Sequence, residues 1–358
     1  MNITLNKSEF KHILLASTFM SWTLQVANMI WIKSTDGVVN VYINNMSEYF
    51  SSTFTPINKC DDWEFAVDWK LLRSIVSKAK WDMTFKVVWE EVLITTDWTK
   101  LKLRKLHYWD MVKEREVSWD KLTIEQSVLQ AWTDLVFAVP QKHFKTVYTW
   151  LSLLAKDNYI EFCGTNELKI AIYREEVNHN FDCQLLIPYE FVNKIKSLLS
   201  SWKYVVDVST DANKILITLS DWDNSIRLSS LLLNWTYPAY QWILWVPYTT
   251  NVKTRCSDIL ESQGKLSILM WAEDLVQVTI WDWIEFKFTW DVWEISDTIK
   301  WETNTTESFN VKSEFFHVIK FIQSLWIDDV SFIRQWRFIF IDTTNTKYKF
   351  IAAASDIK

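Results

Sequence analysis

Apolar and polar residues follow two different periods along this chain. Three segments each begin with a short apolar run and continue with apolar residues spaced one and then three or four apart. Each then ends in two runs that alternate with a period of two. The first spacing is typical of an amphipathic helix, and the alternation is typical of half-buried strands. Each segment is therefore predicted to form a strand, a helix and an antiparallel meander.

The three segments are similar to one another, which indicates an internal repeat. They start near Phe65, Leu185 and Phe309. The aligned helical positions are Leu71, Leu72 and Ile75, then Phe191, Val192 and Ile195, then Phe315, Phe316 and Ile319. The paired strand runs are TFKVV with VLITT, VVDVS with ILITLS, and VSFI with FIFID.

A looser, helix-first half precedes each segment, at the start of the chain, near Ile124 and near Lys253. Three modules of two similar halves result, with predicted domains at 1–118, 119–247 and 248–358. The run YPAYQWILWVPYTT before the last boundary is predicted to be an extended linker, because its prolines disfavour helix. One helix and a few strands per half predict an α+β fold with helices on one face of antiparallel sheets.

Composition excludes several classes of protein. Lys and Arg number 38 against 44 Asp and Glu, so the net charge is −6, and charged residues make up 23% of the chain. That balance argues against a globally basic nucleic-acid binder and against a disordered chain. The sequence has no run of 18 apolar residues and no signal-peptide pattern. We expect a cytoplasmic protein.

One pair of counts is abnormal, with 24 Trp and 3 Gly in 358 residues. The combined frequency of Trp and Gly is close to the usual frequency of glycine alone, about 7% of residues. Many tryptophans also follow Asp, Asn or Ser, where turns favour glycine. These are Trp22, Trp63, Trp98, Trp119, Trp202, Trp222 and Trp235. We hypothesise that most of these positions are glycine in the organism, whose gene uses UGA for Gly and is translated here with UGA as Trp.

Neither a metal site nor a catalytic site is predicted. The four cysteines, at 60, 163, 183 and 256, are scattered and form no C-x-x-C pair, so free thiols are expected. The five histidines lack ligand spacing. No phosphate-binding, dinucleotide-binding or nucleophile-elbow motif is found, even when Trp is allowed to stand for Gly. No cofactor is expected.

At four places the sequence resembles bacterial sliding clamps, the β subunit of DNA polymerase III. LLLNWTYPAYQWILWVP is similar to the family pattern L-I-x-G-x-[FY]-P-D-Y-x-x-V-[IL]-P, with Trp235 where the family has Gly. CGTNELKIA resembles A-T-D-G-H-R-L-A in a degenerate form. LLIPYEFVNKIKSLL resembles the start of the middle-domain helix, and MNITLNKSEFKHIL resembles the N-terminus. The resemblance covers the whole chain and also places glycine at Trp150.

The resemblance implies a non-catalytic homodimer, a head-to-tail ring of two three-domain crescents around duplex DNA. Helices would line the hole, where basic residues attract phosphates without reading bases, while an acidic outer surface avoids nonspecific binding. The candidate DNA-facing residues are Lys11, Arg73, Lys78, Lys145, Lys194, Lys196, Lys312 and Lys320. Ile268 and Leu269 resemble residues of the dimer interface. An exposed strand edge at each end of the crescent would be capped there.

The resemblance also implies a hydrophobic pocket that captures short peptide motifs of the replicative polymerase, the clamp loader and repair factors. Its residues here would be Tyr148, Thr165, Leu168, Lys169, Ile170, Pro238, Trp242, Ile243, Ile351, Ala352 and Ala353. The chain departs from the family at several of them. Leu168-Lys169 stands where the family has a His-Arg pair, and Glu167 stands where Gly is usual. Trp242 stands where many members of the family have a basic residue. The end of the chain lacks M-P-M-R-L, which predicts a shallower pocket.

Two other functions remain open from the residues alone. In the first, a Trp-rich protein uses exposed indoles as platforms for sugars or for single-stranded nucleic acid, although platforms would not explain the missing glycines. Codon inspection separates the two, because UGA at most Trp positions removes the platforms. An enzyme on a repeated α+β fold has no motif behind it.

Overall fold

The computed structural model describes residues 2–19, 28–58, 60–96, 99–107, 121–179, 182–199, 204–211, 213–249, 252–271, 274–291, 293–300, 302–303 and 306–357. The chain divides into two compact units. Unit 1 comprises Met1–Gln130 and Glu190–Asn234, and unit 2 comprises Ala131–Tyr189 and Trp235–Lys358. Both units therefore take in parts of the predicted middle domain, and the predicted three-domain boundaries stay a prediction.

Secondary structure in the described ranges is mostly β. The strands are β1 (Asn2–Leu5), β2 (Met29–Thr35), β3 (Val38–Asn44), β4 (Glu48–Phe54), β5 (Trp63–Asp68), β6 (Met83–Val88), β7 (Glu91–Thr96), β8 (Thr99–Arg104), β9 (Lys121–Ile124), β10 (Trp150–Lys156), β11 (Tyr159–Thr165), β12 (Lys169–Glu176), β13 (Cys183–Pro188), β14 (Val205–Asp211), β15 (Lys214–Ser220), β16 (Asn224–Leu231), β17 (Val252–Arg255), β18 (Val276–Ile280), β19 (Trp283–Trp290), β20 (Trp293–Lys300), β21 (Glu302–Thr303), β22 (Glu307–Val311), β23 (Asp329–Gln335), β24 (Phe338–Thr343) and β25 (Tyr348–Ser355). The α-helices are α1 (Phe10–Ala16), α2 (Trp69–Lys78), α3 (Gln126–Asp134), α4 (Tyr189–Leu199), α5 (Gln241–Leu244), α6 (Cys256–Leu266) and α7 (Ser313–Ser324).

The predicted strand–helix–meander order is confirmed in all three segments. It appears as β5–α2–β6–β7–β8, β13–α4–β14–β15–β16 and β22–α7–β23–β24–β25. The helix-first halves have the same order, in β1–α1–β2–β3–β4, β9–α3–β10–β11–β12 and β17–α6–β18–β19–β20. All pairings are antiparallel, so the predicted α+β class is also confirmed.

Each unit joins two halves through their last strands. In unit 1 the eight-stranded sheet has the order β5–β2–β3–β4–β16–β15–β14–β9, and β4 meets β16 with Phe50 opposite Leu228. In unit 2 the corresponding pair is β12 and β25, with Ile170 opposite Ile351. The last strands of the other two halves, β8 and β20, each lie at the end of a sheet within the described residues.

Helix α2 shows how the sequence fixes these elements locally. Asp68 is its N-cap, and its carboxylate accepts a hydrogen bond of 3.0 Å from the Leu71 backbone N–H, which satisfies one of the unpaired donors of the first turn. Leu72 and Val76, four residues apart, are buried. Polar residues cover the opposite side, as an amphipathic helix requires.

The prediction of an extended linker before residue 248 is wrong. Residues 241–244 form the short helix α5, and Tyr237, Tyr240 and Ile243 are buried. Large apolar side chains there make it more favourable for this segment to pack against unit 2 than to remain extended in solvent.

Tryptophan positions give a mixed result. Trp222 and Trp235 are exposed outside the strands, as turn positions would be, but Trp63 is buried and its ring stacks on Phe65 at 4.9 Å. Trp22, Trp98, Trp119 and Trp202 lie outside the described residues.

The four cysteines are free, as expected, and all but Cys183 are buried. Among the described residues no group of His, Cys, Asp or Glu is arranged to hold a metal ion. None of the helices in the described ranges has both the length and the apolar character needed to cross a membrane.

Candidate partner-binding site

The predicted pocket residues all belong to unit 2 and lie on or beside five of its segments. Tyr148 is in a 3-10 turn at Thr146–Thr149, and Thr165 ends β11. Leu168 precedes β12, which carries Lys169 and Ile170. Pro238, Trp242 and Ile243 belong to residues 235–247, which we call the wall segment, and Ile351, Ala352 and Ala353 belong to β25.

Strands β12 and β25 bring the sheet residues together. Ile170 lies opposite Ile351, and the Ala353 backbone N–H donates a hydrogen bond of 2.7 Å to the Leu168 carbonyl. Side chains alternate between the two faces of a sheet. Thr165, Ile170, Ile351 and Ala353 therefore share one face, whereas Lys169 and Ala352 lie on the other.

The wall segment covers the first of these faces, which we call the wall face. The indole of Trp242 meets the ring of Phe338 edge-on at 5.9 Å, and Tyr248, just beyond the segment, stacks on Phe340 at 4.2 Å. Phe338 and Phe340 lie opposite Ala353 and Ile351 in the β24–β25 pair. Trp242 remains 48% exposed, so it forms an open rim while the isoleucines beneath are buried.

Lys169 faces the other side of the sheet, where α7 packs. Its ammonium lies 5.8 Å from the centre of the Phe137 ring. Burial lowers the pKa of Lys169, and Glu314 opposes that shift. The structure therefore separates Lys169 and Ala352 from the other sheet residues of the predicted pocket.

A tight turn between β11 and β12 forms one edge of the site. Glu167 has a φ of +73°, a conformation that favours glycine, the residue usual in the resembling family. The Asn166 side-chain oxygen accepts hydrogen bonds from the N–H groups of Leu168 and Lys169, at 3.1 and 2.9 Å. Local side-chain bonds of this kind hold the turn in place despite the unfavourable φ of Glu167.

An exposed ion pair lies beside this turn. Lys145 Nζ is 2.6 Å from a carboxylate oxygen of Glu167, and it also lies 5.7 Å from the Tyr148 ring centre. The hydrogen bond to Glu167 raises the pKa of Lys145, and the same bond lowers the pKa of Glu167. Phe144, nearby, is exposed and stacks on His143.

Sequence reasoning missed the buried polar contacts under the wall segment. Tyr240 donates a hydrogen bond of 2.6 Å to Glu161, whose other carboxylate oxygen accepts one of 2.9 Å from Arg174 Nε. Tyr237 donates a bond of 3.2 Å to the Cys163 carbonyl. A single Glu within the apolar run YIEFCGT was the available signal, because a buried carboxylate requires partners.

A cleft of about 500 Å³ adjoins the wall segment at its C-terminal end. It is lined by Leu244, Val246, Pro247, Tyr248, Asp342, Thr343, Thr346, Tyr348 and Lys349. Across it the Tyr248 hydroxyl donates a hydrogen bond of 2.8 Å to Asp342. The cleft thus continues the wall face beyond Ile351.

Solved structures of known proteins share this architecture. The chain is similar to the DNA polymerase III subunit β of Pseudomonas aeruginosa, with 14% identity and a TM-score of 0.89. It is also similar to a DnaN sliding clamp from Bartonella birtlesii bound to griselimycin, with 18% identity and a TM-score of 0.90. In both comparisons all of each chain is covered. The chain has the fold of bacterial sliding clamps.

The sequence itself gives no such match. No protein-family model and no curated protein matches it. The β subunit from DNA polymerase of Streptococcus pyogenes, again covered in full by this chain, has only 13% identity at a TM-score of 0.89. The clamp fold is therefore retained while most side chains differ.

The predicted DNA-facing residues lie mostly on helices of the clamp fold. Lys11 is on α1, Arg73 and Lys78 on α2, Lys194 and Lys196 on α4, and Lys320 on α7, which follows Lys312. Lys145 is the exception, since it precedes a 3-10 turn and pairs with Glu167.

Lys194 and Lys145, two members of this set, have acidic partners. Lys194 forms an ion pair with Glu48 in unit 1, and its ammonium lies 5.4 Å from the centre of the Phe19 ring. Lys145 pairs with Glu167 in unit 2. Each would have to exchange a carboxylate for a phosphate in order to bind DNA. The DNA-facing role of the set stays a prediction.

The predicted dimer residues follow the end of α6. Ile268 is 76% exposed and Leu269 is half-buried. Trp271 and Leu275 nearby are also exposed. The last turn of α6 contacts the edge strand β20 through the pair of Lys265 with Asp297. Exposed apolar residues just after that turn are typical of an interaction surface, and the interface assignment itself stays a prediction.

Proposed function

We propose that this protein is a DNA sliding clamp, a non-catalytic cytoplasmic accessory protein that needs no cofactor and encircles duplex DNA as a homodimer. The observation that carries the proposal is the pairing of last strands. The β4–β16 and β12–β25 pairs each join a helix-first half to a strand-first half. If every helix-first half pairs its last strand with that of a strand-first half, β20 of one copy pairs with β8 of a second copy. Two head-to-tail pairings of this kind close a ring.

The charges on these two edge strands are complementary. Strand β8 carries Lys100, Lys102 and Arg104, whereas β20 carries Glu294 and Asp297 and ends in Lys300. Within the chain Lys102 pairs with Glu91, Glu294 with Lys287 and Asp297 with Lys265, so a second copy would share these charges. Pairing the two strands would cap both exposed edges and would steer the encounter of two copies. Ile268 would add apolar contact beside β20.

Retention of DNA would come from topology, aided by cations on helices such as Arg73 and Lys320. The net charge of −6 disfavours tight nonspecific binding, so a clamp that closes around DNA would still be free to slide. A charge reversal of several predicted DNA-facing residues should abolish retention.

The wall face would bind short apolar motifs of the replicative polymerase subunit, the clamp loader and other partners. Buried Ile243 and Ile351 below an open Trp242 rim suit the insertion of apolar anchors. Sliding clamps of Pseudomonas aeruginosa and Bartonella birtlesii have been solved bound to griselimycin, and we propose the wall face as the griselimycin site of this chain.

The decisive experiment loads the protein onto nicked circular DNA and then linearises the DNA. A clamp remains on the circle and is lost from the linear product, whereas a protein held by direct contacts stays on both. Light scattering at micromolar concentration should give a dimer. A monomer alone, or equal retention on circular and linear DNA, would contradict the proposal.

A further inference from the structure

In the described residues, the wall segment makes few backbone hydrogen bonds to the rest of unit 2. Among the described residues, no backbone hydrogen bond connects residues 233–239 to a strand. Backbone bonds reappear at Ile243 and Val246, and both are local to the α5 turn. Side chains must therefore hold the first part of the segment.

Two tyrosines provide that attachment, and both reach the same strand. Tyr240 bonds to Glu161, and Tyr237 bonds to the Cys163 carbonyl on β11. Their rings meet edge-on at 6.0 Å. Glu161 is 1% exposed, so its carboxylate depends on the Tyr240 hydroxyl and the Arg174 guanidinium for solvation.

We propose that Glu161 and Tyr240 are positioning residues for the partner pocket, and this inference rests on the function proposed above. Tyr240 is two residues from Pro238 and two from Trp242, which form the rim of the site. The hydrogen bond to Glu161 holds Tyr240 against β11. The position of Tyr240 in turn sets the distance between the rim and Ile351. Neither residue needs to touch the ligand.

Griselimycin is the probe, with its affinity measured by calorimetry. Glu161→Gln and Tyr240→Phe, which barely change shape, should each weaken binding by about tenfold, because a misplaced rim loses contacts. The double variant should bind no more weakly than either single variant, since the two residues act as one pair. Hydrogen exchange of the amides in residues 235–247 should rise in all three proteins.

Tyr173→Phe is the matched control, because it also removes a hydrogen bond between Tyr and Glu, to Glu175 on β12. It should shift thermal unfolding as Tyr240→Phe does and leave the griselimycin affinity unchanged. Normal affinity in both Glu161→Gln and Tyr240→Phe would overturn the positioning role while the proposed function stands. Failure of the unaltered protein to bind griselimycin would overturn the proposed wall-face site, and this inference with it.

A second inference comes from three tryptophans with left-handed backbone. Trp89, Trp326 and Trp336 have φ values of +52°, +61° and +57°, where a Cβ atom is strained and glycine is the usual residue. None of them stands among the turn tryptophans that the sequence pattern singles out. Their side chains are 91%, 99% and 69% exposed, so packing does not compensate for the strain.

Each of the three occupies a position with a known glycine preference. Trp89 and Trp336 are the first central residues of two-residue hairpin turns, between Val88 and Glu91 and between Gln335 and Phe338. Glycine is favoured there when only the first central residue has a positive φ. Trp326 follows the C-cap of α7, and its N–H bonds to the Gln323 carbonyl at 2.9 Å. That is the usual place of a helix-terminating glycine.

We infer that positions 89, 326 and 336 are glycine in the protein as its own cells make it. The two-residue β2–β3 turn, by contrast, has Asp36 and Gly37 at its central positions, and both residue types tolerate this backbone. The inference is consistent with UGA coding for glycine, and it does not extend to Trp132, which is buried and stacks on Phe162 at 5.2 Å.

Mass spectrometry of peptides from protein purified from the source cells tests this directly. Glycine at all three positions is expected, and tryptophan at all three would overturn the inference. In the chain with the present sequence, each Trp→Gly change at 89, 326 or 336 should raise the melting temperature by about 2 °C.

Two control variants test whether left-handed backbone strain is the cause of the higher melting temperature. Trp222→Gly removes an exposed indole where φ is not positive and should give no gain. Trp132→Gly should lower the melting temperature by roughly 10 °C, because it opens a cavity in the core. If the three turn variants melt no higher than the Trp222 variant, left-handed strain is not the reason for glycine at these turns.

Discussion

Units 1 and 2 each contain an antiparallel junction between the last strands of two halves, but the two junctions differ in the residues on one face. In unit 1 the face of the β4–β16 pair that lies away from α1 carries polar or half-exposed residues such as Tyr49, Thr53 and Arg227. In unit 2 the wall face of the β12–β25 pair carries buried Ile170 and Ile351. The repeat thus supplies the backbone of both junctions, and the residues at alternate strand positions decide whether a segment packs on them.

The wall segment packs on the apolar junction of unit 2. An apolar sheet face left open would be an unfavourable exposed patch. On this face Tyr237 and Ile243 of the wall segment are buried, whereas Trp242 is 48% exposed. On the unit 1 junction Thr53 bonds to Asn40 at 2.7 Å, and the face needs no cover. The proposed partner pocket would therefore arise from a change of residue type on an equivalent strand pair.

The largest expected effect separates the two junctions. Ile243→Asp should weaken griselimycin binding by at least about 100-fold, near 3 kcal/mol, because it places a charge against the buried wall face. Thr53→Asp makes a similar change on the polar junction of unit 1 and should leave the affinity unchanged. Calorimetry of both variants checks this, and equal losses would show that the site is not specific to unit 2.

The next largest effect is expected for the dimer dissociation constant, when charges on edge strands β8 and β20 are changed. Lys100→Glu combined with Lys102→Glu should raise the dimer dissociation constant by about tenfold or more, since like charges would then face each other across β8 and β20. Glu294→Lys should restore part of the loss. Sedimentation equilibrium measures both, with Lys142→Glu as a control on exposed surface. An unchanged dimer would place the interface elsewhere.

Sequence periodicity predicted most of the fold. Six halves could be recognised because a helix period followed by strand alternation survives when the residues themselves change, as Leu72, Val192 and Phe316 show. The linker prediction was wrong because Tyr237 and Tyr240 belong to neither period. An irregular segment is held by side chains from distant strands, and these leave no local pattern.

The candidate site was only partly accessible to sequence. The resemblance supplied Ile170, Ile243 and Ile351, which the structure brings to one face of unit 2. It also supplied Lys169, which alternation along β12 turns to the other face. Phe338 was missed because it enters through pairing with Ala353, a register that no spacing in the chain reveals.

A separate effect, on folding and not on binding, concerns acid stability in unit 1. His12 stacks on Phe54 at 4.0 Å and bonds to Ser52, and burial lowers its pKa to about 3. Between pH 6.5 and about 3 the unfolded chain binds a proton that the native state excludes. The free energy of unfolding should therefore fall with decreasing pH, by about 1.4 kcal/mol per unit from this group. Denaturant unfolding at several pH values should show a shallower fall in His12→Phe.

The smallest effect tests the edge of the pocket. Glu167→Gly removes the exposed pair with Lys145 and relieves the φ of +73°, so the turn should keep its shape. Because an exposed ion pair contributes little, griselimycin affinity should change by less than about fivefold, and the change should vanish at high salt. Asn166→Ala removes instead the side chain that holds the turn through Leu168 and Lys169, and it should weaken binding more. If Glu167→Gly has the larger effect, the charge on this edge, and not the turn geometry, controls access to the wall face.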